Sequence, residues 1–477
     1  MGFSTLGQHV SDRVNKRFFA TIAVGLLIIG AHVYIGLAVA HNLRTSIVSA
    51  NPARINWRPV IGGLLLQICI AFLVLRWPPS TQGFGWFANK VVSFLHFTSN
   101  GTSFTYGFVA NPPAICGFAP VFVFTSLQII VYFGGIVAVL YHFGIIQAIL
   151  SRVALVMQMT IGTTSAESLN AAACIFLGQT EAALLIEPAF ATMTDSEIHT
   201  VMTAGFACIA GSLFAAYIAF GACPTYILSA TVMSAAASLA ISKLIYPELQ
   251  KSMHSNTFKF TERQNSTVLE CISNGACHSA KFVWAIAANL IVYIALLALF
   301  NSIIGYAGDL VGIQGLSFNQ IIGYCFFPVA YLLGASDAID PAIQLDETMK
   351  VAELIGMKTV LNEFIAYQSL SQMIMNKTLN GARAKMIATY ALCGFTNISM
   401  IGSQIGILSV MCPEKKSAFA KVAVRAFVSG LLSSFMTTCI AGIIINTPIE
   451  CHSTLAQDHC LSLHQVQEVF HDYVPST

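Results

Sequence analysis

Apolar residues run along this chain in long stretches, at 18–40, 59–75, 120–140, 200–220, 227–246, 282–304 and 426–445. About 20 apolar residues cross the hydrocarbon core as an α-helix, whereas a membrane β-barrel shows short alternating strands. The pattern predicts an all-α integral membrane protein. The first run is too long and too late for a cleaved signal peptide and reads as a retained span. Residues 83–97 (GFGWFANKVVSFLHF) are amphipathic and rich in aromatics, which predicts a helix lying in the membrane interface.

Two stretches, 150–190 and 318–370, are interrupted by polar and acidic residues. Each is too long for one span and too polar at its centre for two. Re-entrant hairpins fit, because non-helical backbone at membrane depth must line a protein-buried or watery cavity. The order hairpin, helix, helix occurs at 150–246 and again at 318–447, with one connecting span at 282–304. Entry with opposite orientation makes this an inverted repeat with a site at the repeat interface. The expected architecture is about eight transmembrane helices plus two re-entrant hairpins and interfacial helices. Its parts are N-terminal scaffold spans (1–149), a first hairpin repeat in a transport domain, ending in a scaffold helix (150–246), a cytoplasmic linker and scaffold span (247–317), a second hairpin repeat (318–447) and a polar tail (448–477).

Composition agrees: 56% of residues are hydrophobic and 9% charged, with a mean hydropathy of +0.72, where a soluble domain is about a quarter charged. No basic tract of the nucleic-acid-binding kind is present. Lys251, Lys259, Arg263 and Lys281 form one basic segment, and Lys415, Lys416, Lys421 and Arg425 a second. Both are assigned to the cytoplasm by the positive-inside rule. The tail after 445 has no Lys or Arg, which suits an outside location. Thirteen cysteines form no CxxC pair and read mainly as packing residues. Cys451 and Cys460, in the polar tail, can pair if that tail is extracellular. Trp57, Trp77 and Trp86 read as interfacial anchors, His142 as a packed residue, and Asn100 as a glycosylation sequon. The sequon at Asn265 falls in a segment assigned to the cytoplasm.

Candidate chemistry lies where polar residues interrupt apolar ones. Gln179, Thr180 and Glu181 sit in one such place, and Asn362 and Glu363 in another. Phe395, Thr396, Asn397 and Ser399 follow, flanked by Gly394, Gly402 and Gly406, as a helix broken at its centre requires. An acid at membrane depth faces a site or a partner. Carboxylates, amides, hydroxyls and one ring suit a neutral, hydroxyl-rich ligand with a planar part. The alternative is that Glu181 and Glu363 are buried acids held by local backbone. No catalytic triad, metal-ligand or phosphate-loop spacing is present, so an enzyme is not expected.

The chain resembles the concentrative nucleoside transporters, the animal members above all. The resemblance covers roughly 50–445 and rests on ten segments in order: NPARINWRPV (51–60), GTSFTYG (101–107), LYHFGIIQ (140–147), IGTTSAESLN (161–170), GQTEAALLIEP (178–188), AGSLFAAYIAFG (210–221), LIYPE (244–248), GLSF (315–318), NEFIAY (362–367) and CGFTNIS (393–399). It implies a multi-pass plasma-membrane homotrimer in the lipid bilayer, each protomer with an elevator-like transport domain, and a nucleoside substrate. It implies contact of Gln179, Thr180 and Glu181 with the base, of Glu363 and Asn397 with the ribose, and a pocket lined by Phe395, with Ser399 beside it. The resemblance places the start of the sequence near the first scaffold span and implies that the extra N-terminal spans of longer animal relatives are lacking.

Five departures bear on mechanism. Cys174 stands where sodium-coupled relatives have Asn, and Cys208 where they have Ser or Thr. The carbonyls of Leu177 and Ile209 remain, but sodium prefers oxygen to a thiol. The resemblance therefore implies a degraded sodium site and no other cofactor. Transport coupled to H+ through Glu181 or Glu363, sodium held by carbonyls and water, and uncoupled transport all stay open, as does a nucleoside sensor. Met400 replaces a ribose-binding Ser, and Glu187 and Ala183 replace an Arg and a Pro.

Overall fold

The computed structural model describes residues 49–112, 121–250, 252, 267–313 and 315–449. The predicted span at 18–40, Lys251, Lys259, Arg263, the Asn265 sequon, and Cys451 and Cys460 lie outside these residues. Among the described residues all regular structure is helical.

Helix α1 (Trp57–Leu75) starts behind Asn56, whose side chain accepts from the Arg58 N–H, and stops before Pro78 and Pro79. Proline can open a helix but cannot continue one, so the pair starts α2 (Pro78–His96). This is the amphipathic helix of the sequence, with Trp86 64% exposed and the Lys90 ammonium over its ring. α3 (Thr98–Tyr106) follows and exposes Asn100.

The apolar run at 120–140 is not one helix. Residues 122–128 form turns, α4 (Ile129–His142) begins late, and Gly144 at φ 75° turns the chain by 80° into α5 (Ile145–Ile161). The first hairpin is therefore shorter than 150–190. Gly162 (φ 81°) ends α5, and the arms are α6 (Ser165–Ala173) and α7 (Gln179–Leu185). A reciprocal capping box between Thr164 and Glu167 starts α6. Next come α8 (Asp195–Ala207), a break at 208–210, α9 (Phe214–Ala219) and α10 (Pro224–Ile245).

The second half opens with α11 (Val268–Leu310) and α12 (Phe318–Leu332). Because α12 is separate, the second hairpin begins at 341 rather than 318. Its arms are α13 (Pro341–Val360) and α14 (Glu363–Met375). A broken pair, α15 (Ala382–Leu392) and α16 (Ile398–Met411), leads to α17 (Lys416–Ile444). The order helix, helix, two hairpin arms, broken pair, long helix thus occurs twice, as α4–α10 and α11–α17.

Among the described residues α1, α10, α11 and α17 with the turn before it are long and apolar enough to cross a membrane, and the bent α4–α5 pair adds a fifth candidate. The broken pairs escape that test because each is cut into pieces shorter than a span. Small residues let the helices approach closely, as membrane packing favours. A Cβ on Gly63 of α1 would lie 2.8 Å from the Ala240 Cβ of α10, and one on Gly275 of α11 2.6 Å from the Gly134 carbonyl of α4. In α10, 83% of the most apolar window is buried, and the helix packs against α1, α8 and α17. In α11 the figure is 11%, which leaves its apolar surface to lipid or to other chains.

Each hairpin is tied at its base by an acid. Glu167 of α6 pairs with the Lys243 ammonium of α10 at 2.6 Å, both side chains buried. In the acidic stretch 337–347, Asp340 caps α13 and Asp346 pairs with Lys350. Glu347 accepts from the Gly381 N–H at 2.7 Å and from the Ser336 hydroxyl, which joins α13 to the start of α15.

Candidate functional site

The two helix breaks meet. α8 ends at Cys208, whose carbonyl accepts the Phe395 N–H at 3.2 Å from the break between α15 and α16. Gly394 sits at φ 100°, and a Cβ there would lie 2.9 Å from the Ala207 carbonyl oxygen. Gly430 of α17 backs the same point: its Cβ would come within 2.5 Å of the Phe206 Cβ. Gly402 and Gly406, expected to flank the break, lie inside α16 beside open space. Gly394 is the glycine that the break needs.

Second-repeat polar residues converge here. Asn362 is spent on capping α14, its side chain accepting from the Ile365 N–H at 3.0 Å. Glu363, the first residue of α14, is 3% exposed and accepts from Asn397 Nδ2 at 2.9 Å. Asn397 in turn caps α16: its Oδ1 accepts from the Met400 N–H at 3.0 Å and from the Ser399 hydroxyl at 2.7 Å. Phe395 is buried in the break, one residue from the buried Thr396.

First-repeat residues approach from the other hairpin. Gln179 and Thr180 open α7, both half-buried. The Glu181 carboxylate folds back over that helix start. A Cβ on Gly178 would lie 2.5 Å from that carboxylate. Gln179 Oε1 accepts from Gln404 Nε2 at 2.9 Å, and Gln179 Nε2 lies 4.0 Å from the Met400 sulfur. Met400 thus links the Gln179 side to the Asn397 side, and one run of contacts reaches from Glu363 to Gln404.

The four positions that the resemblance assigns to a sodium site look different from that polar run. Cys174 and Cys208 are both buried, and the Cys174 sulfur lies 4.0 Å from Asn170 Nδ2. The Cys208 thiol donates to the Gly205 carbonyl at 3.5 Å. Two thiols offer a hard cation no side-chain oxygen. The carbonyls of Leu177 and Ile209 are the remaining donors at these positions. Asn170, one turn before Cys174, holds a buried Oδ1 with no hydrogen-bond partner among the described residues.

Comparison with known proteins decides the family. Residues 29–109 match the family description "Na+ dependent nucleoside transporter N-terminus", 123–223 match "Nucleoside recognition", and 226–442 match "Na+ dependent nucleoside transporter C-terminus". A solved structure of CNTnw in an inward-facing substrate-bound state is 32% identical, with a TM-score of 0.78 over 87% of this chain and 98% of that one. The chain belongs to the concentrative nucleoside transporter family. Within this family, Sodium/nucleoside cotransporter 2 of Mus musculus is 40% identical over 413 residues, 83% of this chain. Sodium/nucleoside cotransporter 1 of Homo sapiens is 40% identical over 425 residues, 85% of this chain. The match covers 60% and 63% of those relatives' own lengths. A variant of CNTnw in an outward-facing state aligns with a TM-score of 0.77.

Family motifs did not draw attention to two residues that the geometry makes prominent. Lys358 of α13 is wholly buried, and its ammonium donates to the carbonyls of Ala391 and Cys393 at 3.1 and 2.9 Å, at the end of α15. A cation there complements the carbonyl end of a helix. Gln404 of α16 also donates to the Met202 carbonyl at 3.3 Å. A lysine in an apolar hairpin arm and a glutamine in an apolar helix were the available signals.

Proposed function

We propose that this protein is a secondary-active nucleoside transporter, importing nucleosides across the plasma membrane by cation-coupled alternating access of the elevator type. The observation that carries the proposal is the buried run Glu363–Asn397–Ser399, joined through Met400 to Gln179. Hydrogen-bonded acceptors and donors suited to a sugar thereby lie beside an amide suited to a base. The inward- and outward-facing structures of CNTnw support alternating access. Glu363, Asn397 and Ser399 bind the ribose, Gln179, Thr180 and Glu181 the base, and Phe395 closes the pocket between them. The protein is a homotrimer, supported by the exposed apolar surface of α11.

The coupling ion is a proton or sodium. The thiols at Cys174 and Cys208 favour the proton, carried by Glu181 or Glu363, while the sodium coupling named for the relatives favours sodium. The test is uptake of radiolabelled uridine with sodium replaced by choline, at several values of pH. Accumulation that persists in choline and grows with external acidity supports proton coupling; strict sodium dependence rules it out. A nucleoside sensor is the second reading, favoured by the same thiols together with Met400. Accumulation of uridine against its gradient excludes it.

A further inference from the structure

The orientation of a glutamine amide is fixed by what surrounds it. Gln404 faces the Met202 carbonyl, a backbone oxygen that can only accept, so the atom turned toward it is the amide nitrogen. The same nitrogen lies 2.9 Å from Gln179, so Gln179 must present its oxygen there. The Gln179 NH2 is thereby turned to the other side, where its neighbour is the Met400 sulfur, a weak acceptor that a ligand oxygen can replace. The Gln404 oxygen is buried and has no hydrogen-bond partner among the described residues. Both amides line one cavity with Thr180 and Ala183. Room for the pair comes from Gly205: a Cβ there would collide with Gln404 Nε2 and lie 3.2 Å from the Gln179 Cβ.

Outward from the ribose cluster the contacts run Asn397, Met400, Gln179, Gln404. A base bound along that run meets a donor first, on Gln179, and an unpaired acceptor second, on Gln404. We infer that Gln404 is a specificity-determining residue that sets the polarity of Gln179, and that the pair selects, among pyrimidines, those whose first ring carbonyl is followed by an N–H. Uracil and thymine carry that order. Cytosine carries the same carbonyl followed by a bare ring nitrogen, which sets one lone pair against another. This rests on the nucleoside reading above and adds the base preference to it.

The test is competition by unlabelled uridine, cytidine and 3-methyluridine against uptake of radiolabelled uridine, with thermal stabilisation of the purified full-length protein by each nucleoside. Cytidine and 3-methyluridine are expected to need at least about fivefold more ligand than uridine, as a buried acceptor left unpaired implies. Gln404→Leu is expected to bring the uridine-to-cytidine ratio close to one by weakening uridine more than cytidine. Equal potency of the three in the wild-type protein overturns the inference, as does a ratio unchanged in Gln404→Leu. If that variant fails to reach the membrane, the wild-type comparison decides. A wild-type protein that neither takes up nor is stabilised by any nucleoside overturns the transporter reading itself.

Discussion

The Phe395 N–H donates to the Cys208 carbonyl, so the interrupted helix of one repeat is fastened to the interrupted helix of the other at their breaks. Each break frees backbone groups that a continuous helix would pair, and an unpaired buried group costs about 1–3 kcal/mol. Pairing the breaks satisfies one such group on each strand. It also holds Phe395 and Asn397 beside α8.

Gly394→Ala tests that fastening. The backbone at φ 100° disfavours any Cβ, and this one would also press on the Ala207 carbonyl. A loss of about 1–3 kcal/mol is expected from the backbone conformation alone. Thermal denaturation of the detergent-solubilised protein measures it, and uridine uptake should fall with it.

Removing Glu363 should cost more than a sugar contact. Glu363→Ala leaves Asn397 Nδ2 buried without its acceptor, a penalty of about 1–3 kcal/mol in addition to any lost ligand bond. The KM for uridine should rise by at least about tenfold. A KM unchanged within twofold would mean that this acid is structural only.

Met400→Ser is expected to act in the opposite direction. It puts a hydroxyl beside Asn397 and removes the sulfur from Gln179. One added hydrogen bond is worth about 0.5–1.5 kcal/mol, so the KM for uridine should fall by up to about tenfold. A 2′- and 3′-deoxyuridine series shows whether the gain comes through the sugar.

Glu167→Gln probes the base of the first hairpin. It removes the 2.6 Å partner of the buried Lys243 ammonium but leaves it Glu248 at 3.5 Å and the Ser196 hydroxyl at 3.0 Å, so the loss should stay below the about 3–5 kcal/mol of a fully broken buried pair. The melting temperature should drop. Glu167→Gln with Lys243→Met should recover much of the loss.

Apolar run length was enough to read the membrane class and most long helices, because burial in lipid depends on composition alone. It misplaced the hairpin starts, since α5 and α12 are apolar too and only the turns at Gly162 and after Leu332 separate them from the arms. Glu363 and Asn397 were legible as separate candidates because polar residues in apolar surroundings face a site or a partner; that they bond each other was not. Gln404 and Lys358 were not: both donate to backbone carbonyls, to which the sequence gives no address, and the Gln404 bond to Gln179 joins two repeats far apart in the chain. The acidic stretch 337–347 had no evident purpose until Gly381 and Ser336 appeared at the ends of its bonds.

α11 has 43 residues. At about 1.5 Å per residue it is roughly 64 Å long, about twice the hydrocarbon thickness. Even a tilt of about 40°, the steep end for membrane helices, leaves several turns standing in water. The polar residues of the first turns, Glu270, Asn274, His278 and Lys281, suit the end of the helix that leaves the hydrocarbon, while Cys271, Gly275 and Ser279 of the same turns lie against α4. The helix is therefore a mast as well as a span. Cys277, exposed on those turns, is a natural anchoring point for a membrane-impermeant thiol label that reports which side of the bilayer the mast stands on.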